Sequence, residues 1–214
     1  QTGTTGNSKE FKAVVANASN SLNSLITSES VNVAIVKNIG EGLVRENIHN
    51  EIEGGMAEKW DISEDGLVYT FHLRDAKWQN GTAVTASDFE FAWKKVATLA
   101  DSEYKHLVNY FANGYAVAKE GMAVEELGVK ALDDKTLQVT LEKPIPYILE
   151  VLSGSTFLPV QESFYNEVTE EQYGTTIETV QSNGPFTLEQ YEGEVGYTFK
   201  KNENYWDAKN VQME

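Results

Sequence analysis

The chain has no cysteine. Disulfide frameworks, thiolate nucleophiles and structural cysteine–zinc sites are therefore excluded. The redox compartment stays unread, because a cysteine-free chain suits either side of a membrane. Arginine is almost as scarce, with Arg45 and Arg74 the only two in 214 residues. Lysine and arginine together number 17 against 33 acidic residues, a formal net charge of −16. A nucleic-acid backbone needs clustered basic side chains, so no nucleic-acid partner is expected. No apolar run is long enough to span a bilayer, and no signal peptide is recognisable.

Catalytic signatures are missing as well. The three histidines, His49, His72 and His106, share no metal-binding spacing. His72 falls in the middle of an alternating run and reads as a structural residue. No G-x-S-x-G, P-loop or G-x-G-x-x-G occurs. The "GEG" at 40–42 ends a helical pattern, whereas a phosphate cradle opens one. Carboxylates are so numerous that a pair at glycosidase separation carries no information. No catalytic residue, no metal ligand and no cofactor is assigned. An enzyme reading, such as a hydrolase using scattered carboxylates, has no positive feature behind it.

What is present is patterning. The opening "QTGTTGNSKE" is small and polar and reads as a flexible tether over 1–9, while "EFKAVVA" at 10–16 suits a buried strand. "VNVAIVKNIGEGLV" places Ile35, Ile39 and Leu43 at helical spacing, with Ser30 as the expected N-cap and Gly42 as the stop. In "LVYTFHL", Leu67, Tyr69, Phe71 and Leu73 alternate with Val68, Thr70 and His72, which predicts a half-buried strand after the turn "EDG". "NG" at 80–81 predicts a tight turn. "TASD" at 85–88 resembles a capping box with aspartate in the place of glutamate, and opens a helix burying Phe89, Ala92, Trp93 and Val96.

Further along, 100–121 reads as short helices around loops. Two alternating runs at 129–132 and 136–141 flank the turn "DDK". Pro144 and Pro146 end the second run and start a helix containing Ile148, Leu149 and Leu152. "NEVTEEQYG" reads as a solvated face. "NGPFTLEQYEGEVGYTFKKNENYW" reads as a hairpin turning at "EGE", with Val195 on its second arm. Strands and helices mix without a regular βαβ alternation, so the fold class is α/β, a mixed sheet with antiparallel additions.

Aromatic residues are plentiful, with 10 Tyr, 9 Phe and 4 Trp. Trp60, Trp78 and Trp93 could line a sugar or peptide site, but each falls at a strand end or on an apolar helix face. They are expected to staple a subdomain together. Tyr104 lies in an irregular polar stretch where a ring is harder to explain as core, and from periodicity alone ligand contact and packing remain equal alternatives.

Four separated blocks now stand out: "EGLV" at 41–44, "MAEKWDISEDGLVYTFHLRDAKWQNGTAVTASDFEFAWKKV" at 56–96, "LGVKALDDKTLQVTLEKPIPY" at 127–147, and "NGPFTLEQY…NENYW" at 183–206. Their order and spacing resemble the extracytoplasmic solute-binding proteins of ABC importers, in the oligopeptide and dipeptide branch, over almost the whole chain. That resemblance implies a two-lobed clamshell. Residues 10–46 and 155–214 would form the main-sheet part of the first lobe, and 47–154 an inserted subdomain. It also implies capture of extended oligopeptides through their backbone in an interlobe cleft, closure by hinge bending, and delivery to a membrane permease. The expected protein is an extracytoplasmic monomer with no nucleic-acid partner, reaching the membrane only through a lipid anchor upstream of this chain.

By the same resemblance, Thr27, Ser28, Glu29 and Ser30 map to the ligand-backbone strand before the first helix, and Tyr104 to a cleft tyrosine. At Ser28 one member of the family has an acidic group, so a charge contact there is not carried over. Family chains are much longer, and this chain stops where the second lobe would begin. It is expected to be a partial clamshell that binds peptide weakly or not at all. The competing reading is a surface peptide-signal receptor or adhesin on the same scaffold.

Overall fold

The computed structural model describes residues 21–191 and 197–213. The tether over 1–9, the strand expected at 10–16, the "EGE" turn and Val195 lie outside the described residues.

Helix α1 (Ser30–Ile39) leads into a two-stranded ribbon of β1 (Val44–Glu46) and β2 (Ile52–Gly54). A four-stranded antiparallel sheet follows, built from β3 (Ala57–Ile62), β4 (Val68–Leu73), β5 (Val129–Asp133) and β6 (Thr136–Thr140) in the order β3-β4-β6-β5. Helices α2 (Ala86–Thr98) and α3 (Gly114–Lys119) lie in sequence between β4 and β5. Helices α4 (Ile148–Leu152) and α5 (Glu162–Val168) precede a final hairpin of β7 (Phe186–Tyr191) and β8 (Tyr197–Lys201). The fold is α/β, and every strand pairing among the described residues is antiparallel.

The central strand behaves as its alternation predicts. Tyr69, Phe71 and Leu73 are buried, and Phe71 pairs with Leu137 of β6 and with Trp60 of β3. Helix α2 packs across β5 and β6. Its buried face carries Phe89, Ala92, Trp93 and Val96 at three- and four-residue spacing. Trp93 is fully buried, stacks on Phe111 at 5.3 Å between ring centroids, and meets Phe157 edge-on at 5.2 Å. Its indole N–H donates to the Phe157 carbonyl at 3.0 Å, so the one polar atom of the side chain is satisfied. Trp78 is also fully buried, and Trp60 packs partly buried against the same core. The tryptophans at 60, 78 and 93 are staples, as expected.

The entry to α2 is set locally. Thr85 and Asp88 form a reciprocal capping box, in which the Asp88 carboxylate accepts the Thr85 N–H at 2.9 Å. The same carboxylate accepts the Trp78 indole N–H at 3.1 Å, which ties the helix start to the preceding turn. That turn is the expected one: Gly81 has φ +86°, and the Trp78 N–H donates to the Thr82 carbonyl at 2.8 Å. Thr85→Ala is expected to cost about 1 kcal/mol. Thermal denaturation should show a decrease of roughly 2–4 °C, and an unchanged midpoint would mean that the cap carries no stability.

The first helix differs from its sequence reading at both ends. Its N-cap is Glu29, with Ser30 the first helical residue, and it stops at Ile39 with Gly40 as C-cap. Leu43 is therefore outside the helix, and Gly42 is not the stop. The cause lies far along the chain. The Ile39 carbonyl accepts the N–H groups of Asn183 and Gly184 at 3.1 and 2.9 Å. The Asn183 side chain then brackets Glu41, accepting its N–H and donating to its carbonyl, both at 2.9 Å. These bonds pull 40–42 out of helical register. A Cβ on residue 184 would lie 2.7 Å from the Ile39 carbonyl carbon, so only glycine permits this approach. The acidic stretch at 166–174 is mostly solvated, but Tyr173 within it is buried against Tyr165.

Candidate functional site

The segment leading into α1 is anchored on one side and open on the other. Leu22 and Leu25 are buried. The Leu22 N–H donates to the Gly174 carbonyl at 2.7 Å. Asn23 folds the chain over itself, its carbonyl accepting from Ile26 and Thr27 and its side-chain oxygen from Leu25 at 3.0 Å. Gly174 has φ +74°, and a Cβ there would lie 2.4 Å from the Asn23 nitrogen. Thr27 is buried, Ser28 half-buried, and Glu29 and Ser30 exposed. Glu29 is extended, at φ −68° and ψ 129°, and no side chain caps the helix that follows. Among the described residues no hydrogen bond engages the backbone N–H of Ser28 or Glu29. An anchored base therefore presents a short edge whose donors have no partner among the described residues, which is what an added strand requires.

Tyr104 lies in a 3₁₀ segment, Glu103–Tyr110, packed against α2 and α3. It is half-buried, and its ring centroid is 6.3 Å from that of His106. At the far end of this segment, Tyr110 meets Tyr147 edge-on at 6.3 Å. The structure keeps residues 27–30 contiguous. No hydrogen bond, ion pair or ring contact among the described residues joins them to Tyr104.

Sequence reasoning missed a charged node. Glu41 is buried and pairs with Arg45 at 3.2 Å, while Arg45 also pairs with Glu53 at 2.7 Å. Arg45 donates to the Tyr205 hydroxyl at 2.9 Å, and that hydroxyl lies beside the Glu41 carboxylate. The Trp206 indole N–H faces the same carboxylate at a geometry short of a full hydrogen bond. Burial pushes the Glu41 carboxyl above its usual range, and Tyr205 and Arg45 only partly oppose that. Burial, with the Glu41 charge beside it, also raises the Tyr205 hydroxyl. The Arg74 guanidinium carbon sits over the Trp206 ring, 3.7 Å from its centroid, and that of Arg45 stands 5.6 Å from it. The signal was available: both arginines of an arginine-poor chain meet at one indole.

His72 pairs with Asp61 at 2.8 Å on the exposed side of the sheet. Among the described residues no three histidine, cysteine or acidic side chains converge as metal ligands, and no helix is long and apolar enough to cross a membrane.

Comparison with known proteins adds a lineage. The profile of bacterial extracellular solute-binding proteins, family 5 Middle, matches residues 51–214. The oligopeptide-binding protein OppA of Bacillus subtilis is 36% identical over 197 residues, which is 90% of this chain and 36% of OppA. The substrate-binding domain of an oligopeptide ABC transporter from Bacillus anthracis superposes with a TM-score of 0.91 at 37% identity, covering 94% of this chain and 39% of that one. The pheromone receptor PrgZ, solved for its mode of peptide binding, superposes with a TM-score of 0.88 at 32% identity, over 94% of this chain and 40% of its own. The chain thus spans little more than a third of the relatives it matches.

Proposed function

Because the chain belongs to the bacterial extracellular solute-binding proteins of family 5, we propose that it forms one wall of a cleft that captures extended oligopeptides for an ABC importer. The observation that carries this reading is the anchored edge at 27–30, with the N–H groups of Ser28 and Glu29 unengaged among the described residues. A peptide laid along it gains backbone hydrogen bonds that do not depend on its sequence. Side chains near the edge, Thr27, Ser28, Glu29 and Ser30, together with Tyr104, would shape the surrounding surface. No covalent step is part of the proposal, and neither is a cofactor. The working location is extracytoplasmic and the transport partner a membrane permease. A lipid tether and a monomeric state complete the reading, with 10–46 and 155–214 as the main part of the lobe and 47–154 as its insert. A second reading, a surface receptor for a peptide signal or an adhesin, is favoured by the likeness to PrgZ.

Calorimetric titration with a mixed pool of short peptides tests this. The full-length gene product should bind, and this chain alone should bind weakly or not at all. Glu29→Pro removes one N–H at a residue whose φ of −68° suits proline. It should weaken the full-length product by about tenfold, the worth of one lost hydrogen bond. Full affinity in a folded Glu29→Pro protein would sink the backbone-pairing argument. Absence of binding by the full-length product would reject peptide capture.

A further inference from the structure

We propose that Arg74 and Trp206 are positioning residues, which hold the four-stranded sheet and its helices in one fixed orientation against the segment that carries 27–30. The inference rests on the peptide-capture reading for its link to affinity, though not for its mechanics. Arg74 follows β4 directly, and its Nε–H donates to the Gly55 carbonyl at 2.6 Å. That bond fixes the guanidinium to the turn between β2 and β3. The guanidinium carbon then stands over the Trp206 ring, 3.7 Å from the centroid. Trp206 belongs to the segment after β8, and Asn202 at the start of that segment donates to the Gly184 carbonyl at 2.9 Å. Gly184 and its neighbour Asn183 hold the end of α1. A continuous run of contacts therefore leads from the sheet through Arg74, Trp206 and Gly184 to α1, whose first turn adjoins Ser28 and Glu29.

The geometry is hard to substitute. A Cβ at residue 55 would stand 2.6 Å from the Gly42 carbonyl oxygen and 3.0 Å from a Glu41 carboxylate oxygen. The backbone that receives Arg74 is therefore seated against the buried Glu41. Guanidinium stacking needs a flat cation over a flat ring, and a lysine at position 74 supplies only a point charge. With Arg74 or the indole removed, bonds such as Gln79 to Ser182 at 2.7 Å still hold the two parts together. The expected consequence is a wider spread of orientations without loss of the fold.

The test uses the absence of cysteine from this chain, with any cysteine elsewhere in the full-length product first replaced by serine. In the full-length product, spin labels on Asp134→Cys and Lys209→Cys, both exposed positions, report the distance across the node. The expected result is a single narrow distribution that broadens in Arg74→Ala and in Trp206→Ala and narrows again in Trp206→Phe, which keeps a ring. Peptide affinity should fall about tenfold in the two alanine variants at temperatures well below their melting points. Thr85→Ala, which lowers stability away from the node, should change neither distance nor affinity. A distribution left narrow in Arg74→Ala overturns the proposal whatever the affinity does. A broadened distribution with unchanged affinity overturns the positioning role. If the unsubstituted protein binds no peptide, the capture reading fails, and the distances alone decide whether the node sets orientation.

Discussion

Trp93→Ala is expected to remove about 3–5 kcal/mol of stability, the range for deleting a fully buried tryptophan. The melting temperature should drop by roughly 10 °C or more, given a few degrees per kcal/mol at this chain length. Three effects act together. The side chain is fully buried beneath α2, so its apolar area is lost outright. The faces of Phe111 and Phe157 lose their ring partner. The Phe157 carbonyl loses the indole donor at 3.0 Å and is left inside the core. Trp93→Phe separates these effects, because it keeps a ring for Phe111 and drops only the donor and some volume. It should recover more than half of the loss in a denaturant titration. Equal losses for the two variants would mean that the hydrogen bond, and not the stack, holds the site.

The features that could be read from sequence are those decided by nearby residues. The alternation of β4, the turn at Gly81 and the box at Thr85 and Asp88 each depend on fewer than ten consecutive positions, and each is found where periodicity and turn chemistry put it. The end of α1 was misread for the opposite reason. Ile35, Ile39 and Leu43 keep helical spacing, but Asn183 and Gly184 capture the Ile39 carbonyl and the Glu41 backbone from across the chain. No local pattern contains that information. The order β3-β4-β6-β5 is hidden for the same reason. Residues 27–30 rest on resemblance to a family, whereas Tyr104 stands out in sequence as a ring in an irregular polar stretch and takes only its cleft role from the resemblance. The structure adds what resemblance did not carry, a buried anchor at Asn23 and Thr27 beneath an edge whose donors are unengaged among the described residues.

Glu41→Ala is expected to cost about 1–3 kcal/mol, because it empties a buried site and removes one partner of Arg45, which keeps Glu53 and the Tyr205 hydroxyl. Glu41→Gln should differ by less than about 1 kcal/mol at pH 8, since its amide oxygen still accepts from Arg45 and no buried charge is desolvated. The pH profile separates the pair further. A carboxyl held above its unfolded value binds its proton more tightly in the folded state. Glu41 and Asp88 are both raised by burial, so their protonation stabilises the fold as pH falls towards their ordinary values of 4.5 and 3.8. Fewer ionised carboxylates also relieve repulsion in a chain of net charge −16. Glu53 and Glu170 are held low by their hydrogen bonds to Arg45 and Lys95. Their contribution is present above 4.5 and lost as pH falls through their lowered folded values. The part owed to Glu41 and Asp88 should therefore grow as pH falls towards 4.5 and 3.8, and the part owed to Glu53 and Glu170 should be lost below 4.5. Calorimetric scans at falling pH should show a smaller gain in Glu41→Gln, with Asp88 supplying the remainder. If Glu41→Gln unfolds as easily as Glu41→Ala, the node depends on the charge itself, and burial is not the dominant influence on this carboxyl.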